Sequence, residues 1–392
     1  MPKKHFETLA IHAGKLKDPY RALNSPLYLT STFTFDSLQQ ADDAFEFKSD
    51  AYVYTRGRNP TITLLEERIT ALEEGEASVA FASGMAAITT VLLSLAKQGE
   101  EIVSHRNIYG STFAALTKVF PRFGIEIKFI DMTDLTTLEK SISNKTKVFY
   151  FETPTNPSLE IIDIQAVCKI AKRKNIKVII DNTFATPYFQ KPLTLGADVV
   201  IHSATKYISG HGDAIGGIAV TDNKKYAFNL RFNFMCALGG AISPFNAWLL
   251  LRGLRTLSLR MKKHEENAKA IVNFLSQQSK VKKIFYPGLP SHPNHNIAKK
   301  QMFGFGGIVS FELNGDFSCT KNFIEKLKLH KLAISLGDSE SLVEIPALMT
   351  HRSYPEEKLK EFGFSKKTIR LSTGLESEKD LIEDMQSALR CL

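Results

Sequence analysis

Three apolar runs in this chain end in side chains that could hold and activate a charged ligand. KVIIDNTF sets Asp181 just past a run of Val and Ile. VVIHSATKYISGHGD sets Ser203, Thr205 and Lys206 past the next, and FYFETPTNP sets Glu152 and Asn156 past a third. Polar groups gathered at the ends of buried strands cost free energy unless they bind something. A fourth stretch, ASGMAAI, opens a helix at Ser83–Gly84–Met85, where unpaired backbone N–H groups make an anion seat. Together the four describe a seat for one phosphorylated aromatic cation. The helix opening and the hydroxyls of Ser203 and Thr205 suit the phosphate, and Lys206 offers an amine that can form an imine. Asp181 suits a protonated ring nitrogen, and Tyr109, in NIYGSTF, can stack on the ring and exchange a proton.

Each stretch has a plainer reading when taken alone. A lysine after a strand is commonly a solvated charge, an aspartate after Ile-Ile a helix cap, and Ala-Ser-Gly-Met a simple helix opening. Their order and common location favour the joint site. Ser203–Ala204–Thr205–Lys206 is also an SxxK, the nucleophile signature of penicillin-recognising hydrolases. That reading requires SDN and KTG elements, which the sequence lacks, and an SxxK that opens a helix, whereas this one closes an apolar run.

The elements that must position these residues alternate between strand and helix. Apolar runs at Ser78–Phe81, Glu101–Ser104, Lys147–Phe151, Lys177–Ile180, Val199–Ile201 and Gly217–Val220 are separated by helical patterns such as 84–97, 111–123 and 164–173. The pattern predicts an α/β fold with a mostly parallel sheet covered by helices on both faces, whose ligands collect at the carboxyl ends of the strands. Ahead of it, Asn59 can cap a helix with Pro60 in its first turn, Ile62, Leu65, Ile69 and Leu72 on one face, and Gly75 placed to stop it. Residues 1–58 read as an extended arm with little core. Residues 245–278 read as a long helix or helix pair. Strands at Ile308–Leu313 and Thr368–Leu371 and a last helix from about Glu378 suggest a smaller α+β domain. The division expected is an arm over 1–58, a cofactor-binding domain over 59–255 and a C-terminal domain over 256–392.

Over 392 residues, 43% hydrophobic and 23% charged, the chain can bury a large core in a soluble globular protein. The net charge of +9 raises nucleic acid or a membrane as partners. The basic residues, however, are interleaved with acidic ones, as in RMKKHEE at 260–266, which reads as a solvated surface. Neither partner is expected. Cys168, Cys236, Cys319 and Cys391 lie far apart without a CxxC pair, so no zinc ribbon or disulfide framework is indicated. The N-terminus lacks an apolar signal region, and the most apolar stretch, 86–96, is too short to span a bilayer. A cytoplasmic protein is expected.

The residues quoted above, from AIHAG near the start through HSATKYISGHGD to IRLSTGLE near the end, closely resemble the Cys/Met-metabolism family of pyridoxal-phosphate enzymes. The resemblance implies a fold-type-I architecture with arm, large domain and small domain. It implies a tetramer built as a dimer of dimers with active sites at the dimer interface, and an amino-acid substrate. It makes Lys206 the Schiff-base lysine, Asp181 the pyridinium partner, Tyr109 the stacking tyrosine, and Gly84, Met85, Ser203 and Thr205 phosphate ligands. Tyr54 and Arg56, in YVYTRGRNP, would reach the phosphate of the neighbouring subunit. Arg370, with Ser335 and Asn156, would bind the substrate α-carboxylate, a role that suits the planar fork of a guanidinium. The stretch ISLGDSESLVEIPALMTH is most similar to the branch that eliminates from methionine. Ile334 stands where cystathionine-handling members tend to carry Glu, which favours an apolar substrate end. Ser111 departs from that branch, which usually has Cys there, and so do Met235 and Cys236, where it usually has Lys-Asp. Cystathionine γ-lyases and γ-synthases and O-acylhomoserine sulfhydrylases therefore stay open as alternatives, as does, more remotely, a catalytically silent cofactor-binding protein.

Overall fold

The computed structural model describes residues 4–14, 18–363 and 365–392. Seven strands make the larger sheet: β1 (Ala77–Phe81), β2 (Glu101–His105), β3 (Glu126–Ile130), β4 (Thr146–Glu152), β5 (Lys177–Asp181), β6 (Val199–Ser203) and β7 (Gly217–Thr221). They lie in the order β1-β7-β6-β5-β4-β2-β3. All neighbours from β6 to β3 are parallel, and β7 runs antiparallel to both β6 and β1. Side chains alternate across this sheet as a two-residue period requires. Val178, Ile180 and Val200 enter the core on one face, and Ile179, Val199 and Ile201 enter the core on the other. Both faces are therefore apolar, which is why these strands read as unbroken hydrophobic runs.

Five further strands form the smaller sheet: β8 (Val281–Phe285), β9 (Ile308–Leu313), β10 (Lys331–Leu332), β11 (Leu342–Glu344) and β12 (Thr368–Ser372), in the order β10-β11-β12-β9-β8. Val309, Phe311, Ile369 and Leu371 pack with Ile271, Leu275, Leu381 and Met385 from the helices Leu257–Ser276 and Glu378–Arg390. Every strand of the larger sheet lies between residues 59 and 255, and every strand of the smaller one between 256 and 392.

The helix Pro60–Glu73 forms as its sequence demands. The Asn59 side chain accepts from the Thr61 N–H at 2.9 Å, and Ile62, Leu65, Ile69 and Leu72 are all buried. It ends differently from expectation: Glu74, not Gly75, takes the left-handed conformation, with φ of 59°, and the Gly75 N–H closes the last turn on the Thr70 carbonyl. The pattern over 111–123 is two pieces, a helix Gly110–Lys118 and a 3-10 turn Phe120–Phe123. Pro121, which has no N–H to give, accounts for the break. The arm is not wholly extended, since it carries helices Phe6–His12 and Leu38–Phe45, but only Ala10 and Ala44 of its described residues are buried. Among the described residues no helix is long and apolar enough to cross a membrane.

Candidate active site

The parallel strands β4, β5 and β6 end side by side, with Glu152 opposite Asp181 and Asp181 opposite Ile201. Their final polar residues open into one cavity. It contains Gly84, Met85, Tyr109, Glu152, Asn156, Asp181, Ser203, Thr205, Lys206, Ile334, Ser335 and Arg370 together. Tyr54 and Arg56 do not join them. They line a separate hollow with Phe47, Phe232 and Cys236, and both are exposed.

One end of the cavity is built for an anion. Ser83 caps the helix Gly84–Leu95, its hydroxyl accepting from the Ala86 N–H at 3.1 Å. Gly84 is tight against β6: a Cβ there would meet the Ser203 Cβ at 2.8 Å. Only a residue without a side chain brings this helix start so near the Ser203 hydroxyl. The Thr205 hydroxyl exchanges hydrogen bonds with the backbone of Gly216, donating to its carbonyl and accepting from its N–H. Asp181 lies across the cavity. Its Oδ1 accepts from the Thr183 N–H at 2.9 Å, while burial holds its carboxyl above the usual carboxylate range. A ring cation beside it would reverse that displacement. Glycine cradle, helix opening, buried acid and amine match the parts of pyridoxal phosphate.

The Lys206 Nζ donates to the Ser335 Oγ at 2.8 Å. Burial lowers its amine from an ordinary value of 10.5 to about 8, and the positive charge of Arg370 adds to the effect. Ser335 itself has φ of 150°, outside the wells ordinarily open to a residue with a side chain. Its carbonyl accepts from Arg370 Nη2 at 2.8 Å, so in this chain Ser335 links the lysine to the arginine.

Arg370 is 2% exposed, not a surface strand residue. Nη1 donates to Asn156 Oδ1 at 3.0 Å and to Glu344 Oε1 at 2.9 Å, while Nε has no partner among the described residues. Glu344 was not singled out from the sequence. It faces Arg370 because β11 pairs antiparallel with β12 in a register that sets the two residues opposite one another. The Thr350 hydroxyl also donates to Glu344 Oε1, at 2.7 Å. The guanidinium is thus neutralised by Glu344 and held through Nη1 and Nη2, with Nε buried beside them.

The family model for Cys/Met metabolism PLP-dependent enzymes matches residues 7–390. The chain is 48% identical over 384 residues to an L-methionine gamma-lyase of Fusobacterium nucleatum subsp. polymorphum, covering 97% of each. It is 44% identical to a cystathionine gamma-lyase of Bacillus subtilis, covering 98% of each. Among solved structures it is similar to a putative O-acetylhomoserine (thiol)-lyase from Campylobacter jejuni that holds an N'-pyridoxyl-lysine-5'-monophosphate. The TM-score is 0.96 at 36% identity, with 99% of this chain and 100% of that one covered. With the match spanning nearly the whole chain and the strand-end cavity suited to the cofactor, this protein belongs to the Cys/Met metabolism family of pyridoxal-phosphate-dependent enzymes.

Proposed function

We propose that the chain is an L-methionine γ-lyase, cleaving methionine to methanethiol, 2-oxobutanoate and ammonia. The observation that carries this reading is the lining of the cavity beyond the cofactor groups. Ile215, Ile334, Leu336, Phe184 and Pro154 supply apolar surface, and among the described residues the only acids in the lining are Glu152 and Asp181. A thiomethyl group suits such a surface, whereas the distal ammonium of cystathionine would find no acid in the lining other than the two at the strand ends. Relatives named L-methionine gamma-lyase, at 42–48% identity, support the same reading.

When bound, pyridoxal phosphate supplies an aldehyde that captures the substrate amine and a protonated ring that accepts electrons from the α-carbon. The roles of this chain's residues follow from chemistry and position. The N–H groups of Gly84 and Met85 with the hydroxyls of Ser203 and Thr205 hold the phosphate. Asp181 keeps the ring nitrogen protonated. The Nε side of Arg370, steadied by Glu344 and Asn156, receives the α-carboxylate. Lys206, whose amine burial already inclines to lose its proton, would take the Cα proton and, only after handing that proton on, a Cβ proton. Tyr109, which lines the same cavity, would stack on the ring and give a proton to the leaving thiolate.

The tetramer, built as a dimer of dimers, belongs to the same reading. Tyr54 and Arg56 stand outside their own chain's cavity, and Tyr20, Leu23 and Leu38 of the arm are each more than 90% exposed. A second subunit that covers the arm and receives Arg56 at its own phosphate explains both. All four cysteines are unpaired, which suits a cytoplasmic setting.

The second reading is a cystathionine-cleaving enzyme. It is favoured by the cystathionine gamma-lyase relative and by Ser111, Met235 and Cys236. The test is to incubate the loaded enzyme with methionine, cystathionine, homocysteine, cysteine and O-acetylhomoserine with and without sulfide, and to compare kcat/KM. Methionine is expected to exceed cystathionine, and Ile334→Glu is expected to shift the ratio toward cystathionine by about tenfold or more, in line with 1–3 kcal/mol for such a pocket group. A wild type that prefers cystathionine overturns the assignment.

A further inference from the structure

Glu152 ends β4 inside the cofactor cavity, yet no role above uses it. It is 6% exposed. Its Oε1 accepts a 2.7 Å hydrogen bond from the backbone N–H of Tyr109, the residue just before the helix Gly110–Lys118, and the Asn156 N–H is directed at the same carboxyl group. Opposite it in the register is Asp181, roughly 4.8 Å away across the parallel pair. The other titratable groups that feel its charge are the phenols of Tyr150 and Tyr354.

We propose that Glu152 is a positioning residue: a neutral carboxylic acid that ties the turns of Tyr109 and Asn156 to the strand ends and so sets Tyr109 over the cofactor ring. This rests on the reading of the cavity as the cofactor site. Two buried carboxylates at adjacent strand ends cannot both ionise cheaply. Asp181 is the one that meets the ring cation, and at Glu152 burial and the Asp181 charge outweigh the two N–H donors, so the proton resides on Glu152. Burial and the neighbouring Asp181 push its acid group well above the usual range. A neutral acid still offers an oxygen to the Tyr109 N–H, without competing with Asp181 for the ring nitrogen. The far side of the same turn is fixed independently. The Ser353 hydroxyl donates to the Gly110 carbonyl at 2.7 Å, and Gly110 lies so near the Thr350 carbonyl that no side chain fits. Tyr109 therefore hangs between two anchors, and Glu152 is the one on the cofactor side.

The test compares the full-length, cofactor-loaded wild type with Glu152→Gln, Glu152→Ala, Tyr109→Phe and the Glu152→Ala/Tyr109→Phe double variant. Alanine removes the anchor and is expected to lower kcat about 30-fold, with KM moving less than about threefold and the cofactor still loaded. Glutamine keeps an uncharged acceptor oxygen at the same reach and is expected to restore kcat to within about fivefold of wild type. If Glu152 acts through Tyr109, the alanine replacement costs less than about threefold in the Tyr109→Phe background. A glutamine variant as slow as the alanine one overturns the neutral role, and equal losses in both backgrounds overturn the route through Tyr109. Should the alanine variants not fold, the glutamine variant decides through the pH titration of the cofactor absorbance. A curve that overlays wild type supports the proposal, and a displacement of more than about one pH unit shows that Glu152 carried charge. If the wild type turns over no amino acid, the catalytic reading falls, while that titration still decides the role of Glu152.

Discussion

At the scale of single residues, the proposed role asks Lys206 for a reactive amine, and burial rather than identity is what supplies it. Its neutral amine is the nucleophile, and lowering the group to about 8 raises the neutral fraction at pH 7 from a trace to roughly a tenth. Capture of pyridoxal phosphate by the apoprotein is therefore expected to accelerate about tenfold per pH unit below 8 and to level off above it. An ordinary lysine would keep accelerating past pH 10, and that outcome, read from stopped-flow absorbance, would contradict the assignment. Borohydride treatment followed by peptide mapping should place the trapped cofactor on Lys206 and on no other lysine. Arg370 calls for a different kind of test. Removing it altogether would strand the buried Glu344, which commonly costs about 3–5 kcal/mol of stability. Arg370→Lys keeps a cation beside Glu344 but loses the planar fork, so KM for every amino-acid substrate should rise about tenfold or more with a smaller change in melting temperature. An unchanged KM would remove Arg370 from the carboxylate site. That Lys206, Asp181 and Asn156 meet in one cavity was legible in the sequence because strand-end polarity is a local signal. Glu344 was not, because it meets Arg370 only through the pairing of two strands 26 residues apart, counted from Glu344 to Arg370.

At the scale of elements, the strands that carry the site were legible because each is buried on both faces and so spells an apolar run. β3 gave a weaker signal: it is a sheet edge, no residue of it is fully buried, and Glu126 and Lys128 interrupt its apolar residues. The arm helices were illegible for a related reason, since Leu38 and Phe45, which would mark an inward face, both point to solvent. The stop of the helix Pro60–Glu73 was misplaced by one residue because glycine is the usual left-handed cap, and here Glu74 accepts the strain. Asn59, which starts that helix, does more than cap it. Its side-chain amide donates to the Tyr28 carbonyl at 2.9 Å and to the Thr55 hydroxyl at 3.0 Å, fastening the arm to the first turn. Asn59→Ala is expected to cost about 1–3 kcal/mol in denaturant unfolding, from the lost cap and the acceptors left unpaired. Since Arg56 lies on the same fastened stretch, a looser hold on cofactor should accompany the loss. A stability change below about 0.5 kcal/mol would mean that the arm is held by other contacts.

At the scale of the whole molecule, Tyr54 and Arg56 stand in a hollow apart from the cavity that gathers the other candidate residues. The Arg56 guanidinium lies over the Tyr54 ring at 5.4 Å, and both side chains are exposed. The nearby Phe45 and Phe47 are also exposed, an apolar surface that suits burial against another subunit. If each cavity borrows Arg56 from its neighbour, mutants in the two groups must complement. A Lys206→Ala subunit still lends its Arg56, and an Arg56→Ala subunit still offers its Lys206, so a hybrid pair contains one intact site and one doubly defective site. Purified hybrids carrying two different affinity tags should therefore recover about half of wild-type activity, whereas each parent assembly remains near background. Random mixing, in which about half of the pairs are hybrids, should give about one quarter. Verified hybrids that stay as inactive as their parents would mean that Lys206 and Arg56 serve the same chain's site, and the hollow around Arg56 would then need another occupant.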